Sequence, residues 1–303
     1  MTEIIDIHTH LGDIMYEGGG GLIDETGVKK KLMLDLISVS EMLLHPDFGG
    51  AIYESPLYPM ITKASRARND TATLENMLRN MDKNEIAMSA CMPIPPYVTF
   101  DDLKRTANKS NRIIPFTGVD FTREYDVDAA LAQDVADGAR GMKLHPIIQC
   151  VSLDDPKVFS AVEAFGRHNL PVLFHAGIAH YYPTDEKEKE RPEFGTIEAA
   201  GKLVKAFPKV LFIAGHAGLF QVDEVIEILA PLKNAHVDIS IQSPKVVRKL
   251  LSAFGPERML FASDWPWGCR ETPLRVVDRV CRGDESVKRR MLSENARELL
   301  NLA

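Results

Sequence analysis

The chain has 303 residues, with 36 Lys and Arg against 43 Asp and Glu and a net charge of −7. That balance gives no basic field to draw in a polyanion, and no apolar run approaches the roughly 18 residues of a bilayer span, so nucleic acid and membrane are excluded as expected partners. At 45% hydrophobic and 26% charged residues the chain forms a core. At roughly 150 residues per domain its length suggests two domains, unless the fold is an α/β barrel, which takes about 250 or more as one. Met1-Thr2-Glu3 runs straight into Ile4-Ile5-Asp6-Ile7 without a basic stretch or cleavage site, and Cys91, Cys150, Cys269 and Cys281 form no Cys-x-x-Cys pair. The expectation is a cytoplasmic protein with reduced thiols.

In chain order, short apolar runs predict strands at Ile4–His8, Ile86–Met92, Ile113–Val119, Gly141–His145, Pro171–His175, Val210–Gly215, His236–Ser240 and Met259–Ser263. Helical spacing marks Thr73–Lys83, Phe100–Lys109, Val127–Asp137, Asp155–His168, Thr196–Phe207, Gln221–Leu229, Pro244–Phe254 and Val287–Leu300. Eight βα units predict a (β/α)8 TIM barrel in one domain over residues 1–303, since doubly wound sheets usually stop at about five or six strands. The run Gly18-Gly19-Gly20-Gly21 lacks the spacing of a dinucleotide fingerprint and reads as a loop. Residues 11–72 break the rhythm with one helical patch, Lys29–Leu44, and are expected to form an insertion or lid over the mouth of the barrel. Met33, Leu34 and Leu43 within it could pack a second copy of the chain, a homo-oligomer, and Asp185–Arg191 reads as a solvated helix start.

His8 and His10 end strand 1, His145 ends strand 4, His175 ends strand 5, His216 follows strand 6 and Asp264 follows strand 8. Parallel strand ends share one face of a barrel, where such folds build their sites. His8 and His10, two apart on an extended segment, point to one side and can share a cation; a third histidine and a carboxylate complete a zinc-type ligand set. That pattern predicts a metal site at His8, His10, His175 and Asp264. His45, His168, His180 and His236 read as structural or exposed, with His180 alone placed to line a pocket. Trp265, Trp267 and either Tyr181 or Tyr182 are expected around the substrate.

Five motifs follow in order: Asp6-Ile7-His8-Thr9-His10, Gly141-Met142-Lys143-Leu144-His145-Pro146, Leu173-Phe174-His175-Ala176-Gly177, Ala214-Gly215-His216-Ala217-Gly218 and Phe261-Ala262-Ser263-Asp264-Trp265-Pro266. Together they resemble the amidohydrolase superfamily, in particular the amidohydrolase-related branch that includes aminocarboxymuconate-semialdehyde decarboxylase. The resemblance implies a single divalent metal, usually zinc, held by His8, His10, His175 and Asp264, with His216 beside the water it binds. Lys143 lies on the strand where dinuclear members carry a carboxylated lysine bridging two metals; one metal is the favoured expectation. His145 is a second candidate substrate ligand.

A metal at this position suits hydrolysis of a C–N or C–O bond of a small cyclic or carboxylated substrate, with Asp264 as general acid–base and His216 orienting the water or stabilising the oxyanion. The alternative is non-oxidative decarboxylation of a small unsaturated or aromatic acid, for which Arg66, Arg68, Arg123 or Arg270 would hold a carboxylate. A non-catalytic metal-binding protein is the reading from another class.

Overall fold

The computed structural model describes residues 3–32, 34–45, 51 and 55–302, so Met33 lies outside the described residues. The parallel strands are β1 (Ile5–Thr9), β2 (Met88–Cys91), β3 (Ile113–Pro115), β4 (Thr117–Gly118), β5 (Met142–Leu144), β6 (Val172–His175), β7 (Phe212–Gly215), β8 (Ala235–Asp238) and β9 (Met259–Leu260). They pair in two arcs, β1-β2-β3 and β4 through β9. Only Phe116 separates β3 from β4, and its N–H reaches the Cys91 carbonyl at 3.0 Å, so the two are one barrel strand with an irregular step. The ring closes where Ile7 N–H donates to the Phe261 carbonyl at 3.1 Å and His10 N–H to the Trp265 carbonyl at 2.7 Å. The result is an α/β TIM barrel whose strands fall within the predicted runs, except that β1 runs one residue past the end of its run and β8 starts one residue before its own, at Ala235.

Alternation sorts the strand residues onto two faces. Met142, Leu144, Val172, Phe174, Phe212, Ala214, Val237 and Met259 pack outward against the helices, while Leu173, Ile213, Leu260 and Ala262 form the inner cluster with Ile5 and Ile7. The inner cluster takes in Ala296, Leu299 and Leu300 of the last helix, away from the functional end. That terminal helix, predicted as one piece, has a π-helical turn at Arg290–Glu294 between Glu285–Arg289 and Asn295–Leu300.

Strict alternation would put Asp6 and His8 on the same side of β1. The register instead pairs Asp6 with Ser89 and Thr9 with Cys91, so Ile7 and His8 together face Ala90. This is a β-bulge. It leaves Asp6 outside, bonded to Ser263 and Arg270, and turns His8 inward toward Lys143 and Asp238.

Two helices were not expected. Tyr58–Asn69 lies in the long connection after β1, and Glu271–Val280 follows β9 with Pro273 in its first turn, where a missing N–H costs nothing. The expected patch Lys29–Leu44 shortens to Leu36–Met42, capped by Asp35 accepting from Ser38 N–H. The run Asp185–Arg191 departs from expectation at Glu190, which is buried and accepts from Tyr181 N–H at 2.6 Å and His180 Nδ1 at 3.0 Å. Among the described residues no helix is long and apolar enough to cross a membrane.

Candidate functional site

The barrel brings His8, His10 and Asp264 together with donor atoms within 4.8 Å of one another, and His8, His216 and Asp238 within the same limit. His8 Nδ1 donates to Asp238 Oδ2 at 2.8 Å, which leaves the Nε2 lone pair facing the barrel axis. His10 Nδ1 donates to the Met92 carbonyl at 3.1 Å, and its Nε2 lies 3.5 Å from Asp264 Oδ1. Asp264 is held at φ 59°, and its N–H donates to the His8 carbonyl at 2.9 Å. A positive φ in a non-glycine residue costs energy that surrounding bonds must over-determine, and it recurs at His216 (φ 55°). Gly215 beside it leaves little room for a side chain: a Cβ there would stand 3.2 Å from His8 Cε1 and 3.0 Å from the Phe174 carbonyl oxygen.

Asp238 and Ser240 were not among the expected residues. Asp238 Oδ1 accepts from the backbone N–H groups of His216 and Ser240, both at 3.0 Å, and from the Ser240 hydroxyl. Ser240 Oγ in turn accepts from His216 Nδ1 at 2.7 Å. One carboxylate therefore sets the ring orientation of both His8 and His216, and leaves His216 Nε2 as an acceptor. The signal was present in His236-Val237-Asp238-Ile239-Ser240, where Asp238 and Ser240 alternate inward at a strand end.

His175 lies apart from the tightest cluster. Its Nε2 is 2.9 Å from the Gly177 carbonyl, Tyr181 OH is 3.2 Å from its Nδ1, and its ring stacks on His145 at 4.4 Å between centroids. His145 Nδ1 accepts from Ile148 N–H at 3.3 Å, facing its own loop. Lys143 is buried with Nζ 2.9 Å from His8 Nε2, donating to the lone pair that a cation would need. The ammonium and a metal on His8 are therefore alternatives.

Burial lowers the pKa of His8 and His10, with the Lys143 charge second, and keeps both neutral as ligands must be. Burial, then Lys143, lowers His175 to about 3, and burial, then His8, lowers His216. Burial raises Asp264 against the opposing pull of Lys143 and lowers Lys143 against the pull of Asp264 and Asp238. Two histidine nitrogens and a carboxylate, poorly solvated and facing one point, form an N/O donor set that fits a divalent metal.

Asp264 and His216 line the floor of a cavity of about 630 Å³, with Trp267, Tyr181 and His180 beside them. Trp265 and Tyr182 do not line it; Tyr182 is buried with its hydroxyl on the Met15 carbonyl at 2.7 Å. His45, expected to be exposed or structural, is on the cavity wall. None of the four candidate arginines lines this cavity. Arg66 pairs with Asp13 and Asp70, Arg68 with Asp35 and Glu41, Arg123 with Asp120, and Arg270, fully buried, with Asp6. Each neutralises a carboxylate of its own neighbourhood.

A barrel with a histidine and aspartate cluster at its strand ends is the architecture of metal-dependent hydrolases and decarboxylases. The amidohydrolase family profile matches residues 5–302, and the chain belongs to that family; it is an enzyme of the amidohydrolase superfamily, which sets aside a non-catalytic metal-binding role. Solved structures similar to it include a probable 2-pyrone-4,6-dicarboxylic acid hydrolase from Acinetobacter baumannii with citric acid bound, at 12% identity and TM-score 0.60 over 99% of this chain and 100% of that one. A second is 5-carboxyvanillate decarboxylase from Novosphingobium aromaticivorans with manganese and 4-hydroxy-3-methoxy-5-nitrobenzoic acid, at 14% and 0.66, covering 99% and 96%. A third is a dihydroxybenzoic acid decarboxylase from Polaromonas with manganese and 2-nitroresorcinol, at 14% and 0.66, covering 100% and 98%. At these identities the likeness is one of fold. A search of curated protein sequences finds no match to the chain.

Proposed function

We propose that the protein is a metal-dependent hydrolase that cleaves a C–N or C–O bond of a small substrate at Asp264. The observation that carries this reading is that Asp264 faces two ways: its carboxylate approaches His8 Nε2 and His10 Nε2, at 3.8 and 3.5 Å, and it also lines the floor of the open cavity. His8, His10 and Asp264 would hold one divalent metal with His175 as fourth ligand, once the His175 ring gives up its Gly177 contact. Zinc is the first candidate for this donor set, and manganese, bound by two of the similar structures, is the second. A bound metal supplies Lewis acidity and a nucleophile at neutral pH.

The chain's own residues do the rest. Asp264 takes the proton of the attacking water and delivers it to the departing nitrogen or oxygen. His216 Nε2, left as an acceptor by the Ser240 contact, orients that water. With a metal on His8 Nε2, Lys143 would lie off that nitrogen, uncarboxylated, beside Asp264. The described part of residues 11–72 acts as the lid of the barrel mouth, and Leu34 and Leu43, both more than half exposed, are residues a second copy of the chain would cover.

Decarboxylation of a small acid is the second reading, favoured by the two decarboxylases of similar fold. Against it stands the pairing of all four candidate arginines away from the cavity. The test measures acid or amine release and CO2 release on one panel of esters, amides and aromatic acids, with metal per chain determined alongside. Hydrolysis predicts acid or amine release that falls by about 10²–10⁴ in Asp264→Asn at unchanged metal content. CO2 release alone, or full turnover in the variant, overturns it.

A further inference from the structure

The wall of the cavity above Asp264 and His216 is built from two apolar surfaces. From the segment before β2 come Leu36, Ile37, Leu57 and Ile61, and from the barrel come Leu219, Ile241 and Val246. Asp264 and His216, both buried, form the floor, and the exposed Lys245, Lys249 and Asp223 form the rim, where Lys249 pairs with Asp223; His45, His180, Gln242 and Ser243 are further polar residues of the lining.

We infer that the substrate is amphiphilic: a single polar reacting group at Asp264 joined to an uncharged apolar body, longer than one ring, that runs between the Leu57–Ile61 wall and the Ile241–Val246 wall. This rests on the proposed function only for the position of the reacting end. At about 630 Å³ the space matches that of a drug-sized ligand, and at about 30 Å³ of liquid per water it corresponds to roughly twenty waters. A small acid bearing several charges would leave most of this wall wet, and the lysines among the described lining residues, Lys245 and Lys249, are exposed side chains away from Asp264. An apolar body displaces water from both walls at once, and the affinity so gained scales with the apolar area buried. The lid residues thereby select length, while the barrel residues carry the reaction.

The experiment is calorimetric titration of the protein as purified, its metal content measured, with straight-chain monocarboxylates and the matching primary amides from two to ten carbons. Kd is expected to fall about two- to fourfold per added methylene, with the heat capacity change growing more negative along the series. In Ile61→Asp and Val246→Asp, which place a charge on opposite walls, that dependence is expected to flatten while the shortest ligands bind as before. Two variants are used so that a fold defect in one, seen in its melting curve, leaves the other to answer. A Kd independent of chain length in the parent protein overturns the inference, as does an undiminished dependence in a folded variant. Turnover is not read, so failure of the hydrolytic reading would show as absent acid or amine release with the length dependence intact.

Discussion

The floor of the site and the segment above it solve opposite physical problems. On the floor, five histidines, Lys143 and two aspartates are held by short strands, and their imidazole nitrogens meet carboxylates, carbonyls and hydroxyls: Asp238 on His8, the Met92 carbonyl on His10, Ser240 on His216. In the segment, a few charged residues hold an otherwise apolar surface in place. Arg68 alone bonds Asp35, both oxygens of Glu41, Ser38 Oγ and the Trp267 carbonyl, tying Leu36–Met42 and Tyr58–Asn69 to the loop that carries Asp264. Strand ends give chemistry a rigid base; a segment docked through one buried cation can change its apolar wall without disturbing that base.

The largest effect expected from this contrast is at Arg68. Removing one partner of a buried ion network costs about 3–5 kcal/mol because a buried charge is left uncompensated, and Arg68→Ala takes the cation from buried Glu41 and leaves Asp35 with Lys30 alone. If segment and floor are separable, the loss is local: hydrogen exchange accelerates in residues 36–69, KM rises, and amides of β1 and β6–β8 keep their protection. Loss of protection throughout the barrel would mean that the two regions are one cooperative unit.

Asp238→Asn probes the floor. It keeps the shape of a side chain that orients two histidines but exchanges an acceptor for a donor facing His8 Nδ1. Metal affinity is expected to fall about 10–100-fold, measured by competition with a chelating dye, while exchange in residues 36–69 is unchanged. An unchanged affinity would show that Asp238 does not set the orientation of His8.

The smallest effect is at the opposite end of the barrel. Burial lowers His236 to about 4, and its Nδ1 has no hydrogen-bond partner. The unfolded chain takes up this proton near pH 6.5 and the folded chain only near pH 4, so the contribution of His236 is fully present above about pH 6.5 and is lost as the pH falls toward 4. About 1–2 kcal/mol should disappear between pH 7 and pH 5 in urea unfolding, and His236→Gln should lack that part of the loss. Asp35 responds lower: burial would raise it, but Lys30 and Arg68 hold it below the usual carboxylate range, so its contribution persists until the pH falls below about 4.

Much of the barrel was legible because period and residue type agree in it. Runs such as Pro171–His175 and Val210–Gly215 are apolar and β-branched and end on a histidine or glycine, and β6 and β7 fall within them. The helix Glu271–Val280 was missed because it opens on Glu271, Thr272 and Pro273, which read as a turn, and half of its residues are polar, although Leu274, Val276, Val277 and Val280 pack against the core. Leu36–Met42 and Tyr58–Asn69 were poorly legible for a related reason: their apolar residues face a cavity and solvent as much as a core, which blurs the helical period.

The one-dimensional order of residues determined the fold class, the family and the set of polar side chains gathered at one end of the strands, because parallel strands in a βα repeat have only one face for their carboxyl ends. Tertiary structure alone decided which partner each of those side chains meets. It selected Asp238 as the residue that orients His8 and His216, placed Lys143 on the His8 lone pair, used a β-bulge to turn Asp6 away from His8, and committed all four arginines to local carboxylates. Those outcomes depend on distances of about 3 Å between residues far apart in sequence. No periodicity encodes them.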